Sequence, residues 1–302
     1  MDYVVLGQLL TDDILYAGGP SYLNLPGGVA YTLAGIRYWS DSLGVCSGLG
    51  TDFLPMHGAW LRAAGVDLKG TWEEPVRSPH TRCVYRGGEE RQEEPVPGTA
   101  PLSRMMPRVH NIPRDYDDCK GLYVYLGHEP SYWEELSAWK RDKRAVLLWE
   151  LRGSDARAEN RPAFRQYLET ADILSLNYAE ALALTEEREP ERMVHSLLAL
   201  GARKLFLHMG AEGALAADAG TCWKVSVWPS EVVDVTGCGN ASAGGFLAGY
   251  CESDGDLEWA GRCGNTSASF MLEQFGPPAE FTPVQMEEAR RRAGLLRAEK
   301  IY

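Results

Sequence analysis

A glycine-rich turn in the C-terminal third of the chain could bind phosphate. The β-branched run Val232–Val235 leads into Gly237, Cys238 and Gly239, and a segment of small apolar residues with helical spacing follows. This pattern predicts a strand, a tight turn and a helix N-terminus. Backbone N–H groups at a helix N-terminus favour anions, phosphate above all. A plain connection between a strand and a helix is the alternative, since one glycine-rich turn is a weak signal.

A second candidate site consists of Asn177 and Glu180, which directly follow the predicted strand Ala171–Leu176. An asparagine at the N-cap and a glutamate three residues later form a capping box, which would explain the pair structurally. Their side-chain oxygens could also hold a hydrated Mg²⁺ ion or the phosphates that it carries. The two interpretations are compatible, so the sequence leaves both open.

Other positions have both a structural and a functional interpretation. Gly210 and Gly213 could form only a tight turn, or could let a flat nucleotide lie against the backbone. Asp234 could be a simple N-cap residue or an acidic group beside a phosphate and metal site. His208 lies on the apolar predicted strand Lys204–Met209, so we expect it to be packed and not reactive.

Strands alternate with helices along most of the chain, and this alternation predicts the scaffold for these residues. Strands are predicted at Tyr3–Leu10, Leu43–Leu49, Gly121–Gly127, Ala145–Leu151, Ala171–Leu176 and Lys204–Met209. The pattern predicts an α/β fold whose mostly parallel central sheet has helices on both faces. Ligands of such sheets bind at the carboxyl ends of the strands. The turns expected at that edge are Gly27–Gly28, Asn177, Gly210 and Gly237–Asn240.

A short β excursion interrupts this alternation between about residues 66 and 97. Thr81–Arg86 and Glu89–Glu93 alternate in polarity around Gly87 and Gly88, which predicts a hairpin with a polar exposed face. The excursion is therefore expected to stand off the main body.

Composition and charge exclude several classes of function. The net charge is −12 over 302 residues, and no long Lys/Arg stripe occurs, so we expect no nucleic-acid partner. No apolar run reaches the length of a membrane span, and the N-terminus lacks the features of a signal peptide. The seven cysteines never form a C-x-x-C pattern. A reduced, cytoplasmic environment without disulfides or a zinc site is therefore expected.

Several weak motifs occur in one order and together resemble the ribokinase/PfkB carbohydrate kinase family. They are Gly27-Gly28 before a helix, Thr81-Arg82 in the β excursion, Asn177-x-x-Glu180, Gly210-x-x-Gly213 and Asp234-x-Thr-Gly-x-Gly-Asn240. The resemblance covers nearly the whole chain, and motifs in register are more specific than any one of them. The segment Ser267–Pro278, together with Gly-Cys-Gly-Asn, is most similar to the MAK32-type branch of that family.

This resemblance implies a single ribokinase-like domain over residues 1–302, with a small β lid formed by about residues 10–26 and 66–97. ATP would lie along the strand ends, and Mg²⁺ would be held by Glu180 and Asp234. The implied nucleotide-binding residues are Asn177, Gly210, Gly213, Thr236 and Asn265. The implied catalytic residues are Asn240 and the anion-hole residues Gly237, Cys238 and Gly239.

The same resemblance places a small-molecule acceptor between the body and the lid. The implied acceptor-binding residues are Asp12, Asp13, Gly27, Gly28, Thr32 and Arg82. Closure of the lid would exclude water from the reaction. Lids of this family often dimerise, so a homodimer through the lid is expected as well.

Two departures from the family pattern bear on activity. The family has its catalytic aspartate where this chain has Asn240, and its sugar-binding asparagine corresponds to Thr32. Asn240 can orient a hydroxyl but cannot accept its proton, and loss of a general base typically costs about 10²–10⁴-fold in rate. A loose phosphoryl-transfer transition state still permits the reaction without a base.

These observations predict an ATP-dependent phosphotransferase of reduced activity that acts on a hydroxyl of a sugar, nucleoside or related polyol. The alternative is a catalytically silenced kinase fold that binds a nucleotide or small molecule and regulates another process. An unrelated α/β hydrolase using Asp234 is a weaker hypothesis, because no nucleophile–base pair can be named.

Overall fold

A computed structural model describes residues 1–86 and 91–302 of the chain. The strands are, in chain order, β1 (Tyr3–Leu6), β2 (Leu9–Tyr16), β3 (Ser21–Gly28), β4 (Leu43–Gly50), β5 (Asp67–Glu74), β6 (His80–Tyr85), β7 (Arg91–Pro95), β8 (Gly121–Leu126), β9 (Val146–Leu151), β10 (Ile173–Asn177), β11 (Lys204–His208), β12 (Ala214–Asp218), β13 (Cys222–Val225) and β14 (Ala298–Lys300). The α-helices are α1 (Ala30–Arg37), α2 (Phe53–Ala63), α3 (Pro130–Lys140), α4 (Arg161–Leu168), α5 (Tyr178–Thr185), α6 (Pro190–Leu200), α7 (Cys238–Glu252), α8 (Leu257–Leu272) and α9 (Pro283–Leu295).

Ten strands form the main sheet, in the order β14-β13-β12-β11-β10-β9-β8-β1-β4-β5. The strands from β11 to β5 in this order pair in parallel. The strands β12, β13 and β14 extend one edge with antiparallel pairing. The inner strands are nearly continuous apolar runs, as in Val4–Leu6, because helices cover both of their faces. The predicted mostly parallel sheet is therefore confirmed.

Two apolar cores lie on the two faces of this sheet. The helices α1, α2, α7, α8 and α9 contribute to the first core. The helices α3, α4, α5 and α6 contribute to the second. Among the described residues, no helix combines the length and the apolar character needed to cross a membrane.

A separate four-stranded sheet, in the order β3-β2-β6-β7, forms the lid. The predicted strand Tyr3–Leu10 is in fact two strands, because the chain leaves the main sheet after β1 and enters the lid as β2. The strands β6 and β7 pair antiparallel as the predicted hairpin requires, and its turn at Gly87-Gly88 lies outside the described residues.

The expected extent of the lid is wrong at one strand. The sequence predicts residues 67–74 in the lid, but β5 pairs in parallel with β4 at the edge of the main sheet. Its side chains alternate in polarity because an edge strand has a half-exposed face, so the sequence pattern resembles that of a lid strand.

The expected strand at Val232–Val235 is also wrong, because residues 226–237 form an irregular crossing towards α7. Val232 is 62% exposed, and the backbone N–H of Val233 donates to Leu272 O at 2.7 Å, at the end of α8. The β-branched residues here have no neighbouring strand with which to pair.

The helices α1 and α7 pack with their backbones in contact. A Cβ atom at Gly35 of α1 would collide with the carbonyl oxygen of Ala241 in α7. A Cβ atom at Gly244 of α7 would lie 2.5 Å from Thr32 O in α1. This close approach explains why a buried helix keeps glycines that destabilise an isolated helix by about 1 kcal/mol each.

Candidate functional site

The glycine-rich turn caps the N-terminus of α7, as the sequence predicts. Gly237 is the N-cap with a φ of 78°, and a Cβ atom there would enter the ring of Tyr31. The first intrahelical bond runs from Ala241 N to Gly237 O at 2.9 Å, and Cys238 N donates outside the helix to Val235 O at 3.3 Å. The N–H groups of Gly239 and Asn240 therefore have no partner within the helix. The thiol of Cys238 points away from the turn, 3.8 Å from Ala268 O. The turn therefore offers its backbone, and not its side chains, to an anion.

This turn lies at the base of a cleft between the lid and the main sheet. The described residues that line the cleft are Gln8, Leu10, Asp12, Gly28, Val29, Tyr31, Thr81, Cys83, Glu93, Leu102, Tyr125, Thr236, Gly237 and Asn240. The Nδ2 atom of Asn240 lies 3.4 Å from Gly28 O at the end of β3. The helix start and the lid thus meet at Asn240, and a molecule in the cleft would contact both.

The expected acceptor-binding residues divide between the two faces of the lid. Asp12 and Thr81 line the cleft, whereas Asp13 and Arg82, one residue later on each strand, face the other way. The Asp13 carboxylate accepts a hydrogen bond from Asn24 N at 2.9 Å and lies 2.9 Å from His80 Nε2. Asp13 and Arg82 therefore do not line the cleft, because side chains alternate along a strand.

The strand that leads into α1 brings Gly28 to the cleft, with a φ of 61°. Gly27 packs against the Asp12 carboxylate, which a Cβ atom would strike. Thr32 is completely buried beneath the cleft and its backbone contacts Gly244. The neighbouring residue Tyr31 lines the cleft instead of Thr32. Nothing in the sequence spacing indicates Tyr31 as a cleft residue.

Asn177 and Glu180 form the predicted capping box at the start of α5. Burial, and next the charge of Glu150, raise the pKa of the Glu180 carboxyl to about 7, although the hydrogen bonds from Asn177 act in the opposite direction. A carboxylate at the strand edge with a raised pKa is a characteristic of functional sites. The pair therefore fits both the capping role and a role in binding Mg²⁺ or phosphate.

Glu150 and His208 lie within ion-pair distance of each other, a contact that the sequence did not indicate. His208 Nε2 lies 3.4 Å from Glu150 Oε1, and the two side chains are 14% and 6% exposed. Burial lowers the pKa of His208, but the interaction with Glu150 outweighs it and the pKa is raised overall. The Oε2 atom of Glu150 has no hydrogen-bond partner within the described part of the chain. His208 is packed, as expected, and it also lies beside the Glu150 carboxylate.

The Gly210–Gly213 turn follows β11 at the same edge of the sheet. Both glycines have positive φ angles, 56° and 87°, and a Cβ atom at Gly213 would collide with Val225 O. Asn265 is buried in α8 and donates from Nδ2 to Val225 O at 3.0 Å and to Ser226 O at 3.1 Å. Asn265 therefore fixes the position of the backbone that follows β13, next to the Gly210–Gly213 turn.

Asp234 connects the lid to the glycine-rich turn and is not an N-cap, because Gly237 has that position. Its Oδ1 atom accepts hydrogen bonds from Tyr16 OH at 2.8 Å, Thr236 N at 3.1 Å and Thr236 Oγ1 at 2.9 Å. Thr236 Oγ1 also lies 2.8 Å from Tyr85 OH in the lid. The Oδ2 atom of Asp234 is buried without a hydrogen-bond partner among residues 1–86 and 91–302.

These donor sets fit a magnesium–nucleotide complex. Among the described residues, no three His, Cys, Asp or Glu side chains converge to hold a metal ion by themselves. Magnesium usually keeps several waters and binds one or two carboxylates plus substrate phosphates. The unpartnered oxygen of Glu150 and the raised pKa of Glu180 at one strand edge suit that partial ligand set.

The chain is similar to known kinases in sequence and in fold. A cytidine kinase from Thermococcus kodakarensis is 27% identical over 281 residues, which is 91% of this chain and 98% of the relative. An adenosine kinase from Sinorhizobium meliloti has a TM-score of 0.77 at 22% identity, over 97% of this chain and 99% of that chain. An E. coli protein described as a ribokinase II, in complex with ATP and Mg²⁺, has a TM-score of 0.75 at 21% identity, over 96% and 99% of the two chains.

These structural likenesses confirm the ribokinase-like α/β fold with its small lid sheet. The pfkB family carbohydrate kinase profile matches residues 120–283, which is more than half of the chain. The matched region contains the capping-box pair, the Gly210–Gly213 turn and the glycine-rich turn with Asn240. The chain belongs to the PfkB family of carbohydrate kinases.

Proposed function

We propose that the protein transfers the γ-phosphoryl group of ATP, with Mg²⁺, to a hydroxyl of a nucleoside, a sugar or a related polyol. The observation that carries this proposal is the position of Asn240. It lies at the start of α7, next to the backbone donors of Gly237–Gly239, and also lines the cleft under the lid. A hydroxyl in the cleft and a phosphate at the turn would thus lie on the two sides of one residue.

The residues of the site divide the work between the two substrates. Asp12 and Thr81 bind the acceptor from the lid, and Asn240 orients its reacting hydroxyl. The N–H groups of the glycine-rich turn stabilise the charge on the transferred phosphoryl group. Glu180 and Asn177 support Mg²⁺ and the phosphates, and bound Mg²⁺ neutralises charge on the phosphate oxygens. Closure of the lid excludes water from the cleft.

The Gly210–Gly213 turn and Asn265 are proposed to form the nucleotide side of the site. The positive φ angles of the glycines let the chain turn without side chains, so a flat base can lie against the backbone. Asn265 contributes by fixing the backbone after β13. Asp234 and Thr236 connect this side to the lid and remain the proposed second position for a cation.

A nucleoside is the acceptor to test first, since a cytidine kinase is the relative that spans 91% of this chain. The purified protein with Mg²⁺ and ATP should be incubated with cytidine, adenosine, ribose, fructose and simple polyols. Acceptor-dependent ADP formation, with a product heavier by one phosphate in mass spectrometry, is expected for at least one of them. The rate is expected to be low, because Asn240 cannot accept the proton of the hydroxyl.

The second candidate function is a silenced kinase fold that binds a nucleotide and acts as a regulator. The observation that favours it is again Asn240, whose amide donates towards Gly28 O and cannot act as a base. Mg·ATP that raises the melting temperature without any product from the panel would support this function over the first. No thermal response to any nucleotide would contradict both.

A homodimer through the lid and a place in the MAK32-type branch remain proposals. The outer strand β3 exposes Leu23, at 58%, and Tyr22, at 40%. Apolar residues on an edge strand favour pairing with a second copy. The molar mass from light scattering, compared between the wild type and Leu23→Lys, tests the dimer.

A further inference from the structure

The side-chain amide of Gln8 is a buried polar group without a strong partner. Gln8 lies between β1 and β2, lines the cleft and is only 7% exposed. Its Nε2 atom donates to the thioether sulfur of Met106 at 3.1 Å, the one hydrogen-bond contact of this side chain within the described part of the chain. A thioether is a weak acceptor, and a buried amide that lacks hydrogen bonds costs free energy. The amide is therefore suited to a ligand in the cleft.

Backbone contacts fix Gln8 close to the reacting end of the cleft. Val29 N donates to Gln8 O at 3.1 Å, and a Cβ atom at Gly28 would collide with the same oxygen. The carbonyl oxygen of Gly28 in turn lies 3.4 Å from Asn240 Nδ2. Gly28 therefore lies between Gln8 and Asn240, so one small molecule in the cleft can contact both side chains.

Apolar and aromatic side chains form the walls of the cleft near this amide. Leu10, Leu102 and Tyr125 all line it. Leu102 opens the short turn Leu102–Met105, which leads directly to Met106, and a Cβ atom at Gly7 would be 3.7 Å from Tyr125 Cβ. Such side chains suit the faces of a flat ring, whereas the amide suits polar groups on the edge of that ring. A free sugar or a linear polyol has no aromatic face to offer to these walls.

We propose that Gln8 is a specificity-determining residue that binds the polar edge of a heterocyclic base, so that the cleft takes a nucleoside in preference to a free sugar or a linear polyol. This inference rests on the proposed function and narrows its class of acceptor. The glutamine amide presents a donor and an acceptor side by side, which match the adjacent acceptor and donor on cytosine or adenine. The base lies at Gln8, and the reacting hydroxyl lies at Asn240.

The test compares dissociation constants by isothermal titration calorimetry, with Mg·ADP present. The ligands are cytidine, adenosine, ribosylbenzene, which keeps a flat ring without a polar edge, and methyl riboside, which has no ring system beyond the sugar. We expect the wild type to bind at least one nucleoside more tightly than the other two ligands. In Gln8→Leu the affinity for that nucleoside should fall by about ten- to a hundredfold, because the buried edge of the base loses its hydrogen bonds. Affinity for ribosylbenzene should not fall.

The matched control is Gln92→Leu on β7, which removes an amide from the exposed face of the lid. The Gln92 side chain is exposed and accepts a hydrogen bond from Arg86 Nε at 3.0 Å. This variant should keep the wild-type dissociation constants for all four ligands. Gln8→Glu provides a second variant if Gln8→Leu does not fold. It keeps the shape of the side chain but loses the amide donor, so it should also lose the preference for the nucleoside. Melting temperatures without ligand verify that each variant folds.

The outcomes separate this inference from the proposed function. A nucleoside preference that is unchanged in a folded Gln8→Leu or Gln8→Glu protein would overturn the role of Gln8 and leave the proposed function standing. A wild type that phosphorylates a sugar or polyol but binds neither nucleoside would do the same. A wild type that binds neither Mg·ATP nor any acceptor would overturn both claims. A loss of nucleoside affinity in the Gln8 variants, with ribosylbenzene affinity retained, supports the inference.

Discussion

Asn177 and Glu180 exchange two hydrogen bonds across the first turn of α5. Glu180 N donates to Asn177 Oδ1 at 2.9 Å, and Asn177 N donates to Glu180 Oε2 at 2.8 Å. This reciprocal pair explains both residues structurally, without any ligand. Their structural and functional roles can nevertheless be separated, because the cap needs an acceptor atom while a magnesium site needs a charge.

The variant Glu180→Gln separates these roles. The glutamine Oε1 can still accept the hydrogen bond from Asn177 N, so the cap remains and the melting temperature without Mg²⁺ should not fall at pH 8. The Mg²⁺ concentration for half-maximal activity should rise about tenfold or more, because the carboxylate charge is lost. Unchanged Mg²⁺ dependence would leave Glu180 with the capping role alone. Glu180→Ala is the matched control, and it should also lose about 1 kcal/mol of stability with the cap.

The same carboxyl predicts a pH dependence of stability. The pKa of Glu180 is raised to about 7 in the folded protein, with burial as the main cause and Glu150 next. The folded state then holds a proton that the unfolded state releases above its lower pKa. This contribution is present at low pH and is lost as the pH rises towards 7. As the pH rises from 5 to 8, the free energy of unfolding measured in urea should therefore fall more for the wild type than for Glu180→Gln.

Asn240→Asp is predicted to increase phosphoryl transfer to the preferred acceptor. The aspartate supplies a general base at the cleft, and we expect kcat to rise about 100-fold, at the low end of general-base effects. The contact of Asn240 Nδ2 with Gly28 O, at 3.4 Å, is lost in this variant, which limits the gain. Asn240→Ala should instead lower kcat. Equal rates for the wild type and both variants would remove Asn240 from the reaction.

Gly237→Ala is predicted to destabilise the protein and to abolish nucleotide binding. Gly237 has a φ of 78°, and the added Cβ would enter the ring of Tyr31. We expect a loss of about 2 kcal/mol or more in the free energy of unfolding. The matched control is Gly294→Ala in α9, where nothing lies within 4 Å of the added Cβ. That change should stabilise the protein by roughly 0.5–1 kcal/mol. A Gly237→Ala protein as stable as the wild type would contradict the strained turn.

The lowered pKa of His57 predicts that the protein loses stability in acid. Burial lowers its pKa to about 4, and its Nε2 atom lies 2.9 Å from Thr11 Oγ1 beneath the lid. Between pH 6.5 and pH 4 the unfolded chain binds a proton that the folded protein refuses. The contribution is thus complete above pH 6.5 and is lost as the pH falls. In His57→Gln the free energy of unfolding measured in urea should depend less on pH across this range. An unchanged pH dependence would show that other groups cause it.

Much of the scaffold and part of the site follow from the sequence. The capping box at Asn177 and the turn at Gly237 depend on neighbouring residues, so local patterns indicate them correctly. The pair of Glu150 with His208 was missed because β9 and β11 meet only through β10, and no local pattern reports that neighbourhood. The sequence predicts both Asp12 and Asp13 at the cleft because it does not indicate which face of β2 is turned towards the cleft.

The expected strand at Val232–Val235 failed for a related reason. β-branched residues indicate a strand only where a partner strand is available, and the crossing from β13 to α7 has none. The sequence pattern predicts β5 in the lid because a half-exposed edge strand of the main sheet has the same alternation as a lid strand. In both cases the tertiary neighbours determine whether the segment is a strand and which sheet it joins, and the local sequence pattern does not contain this information.

The backbone contact between α1 and α7 has a mechanical consequence. Gly35 and Gly244 lock the two helices together without side chains that could slide or rotate between them. The cleft residue Tyr31 on α1 and the glycine-rich turn on α7 therefore belong to one rigid block. Any opening or closing of the cleft then depends on the lid. The lid is joined to this block where β1 leads into β2 and where β3 leads into α1. We therefore expect reactants to enter the cleft through a movement of the lid and not through a change in the packing of α1 against α7.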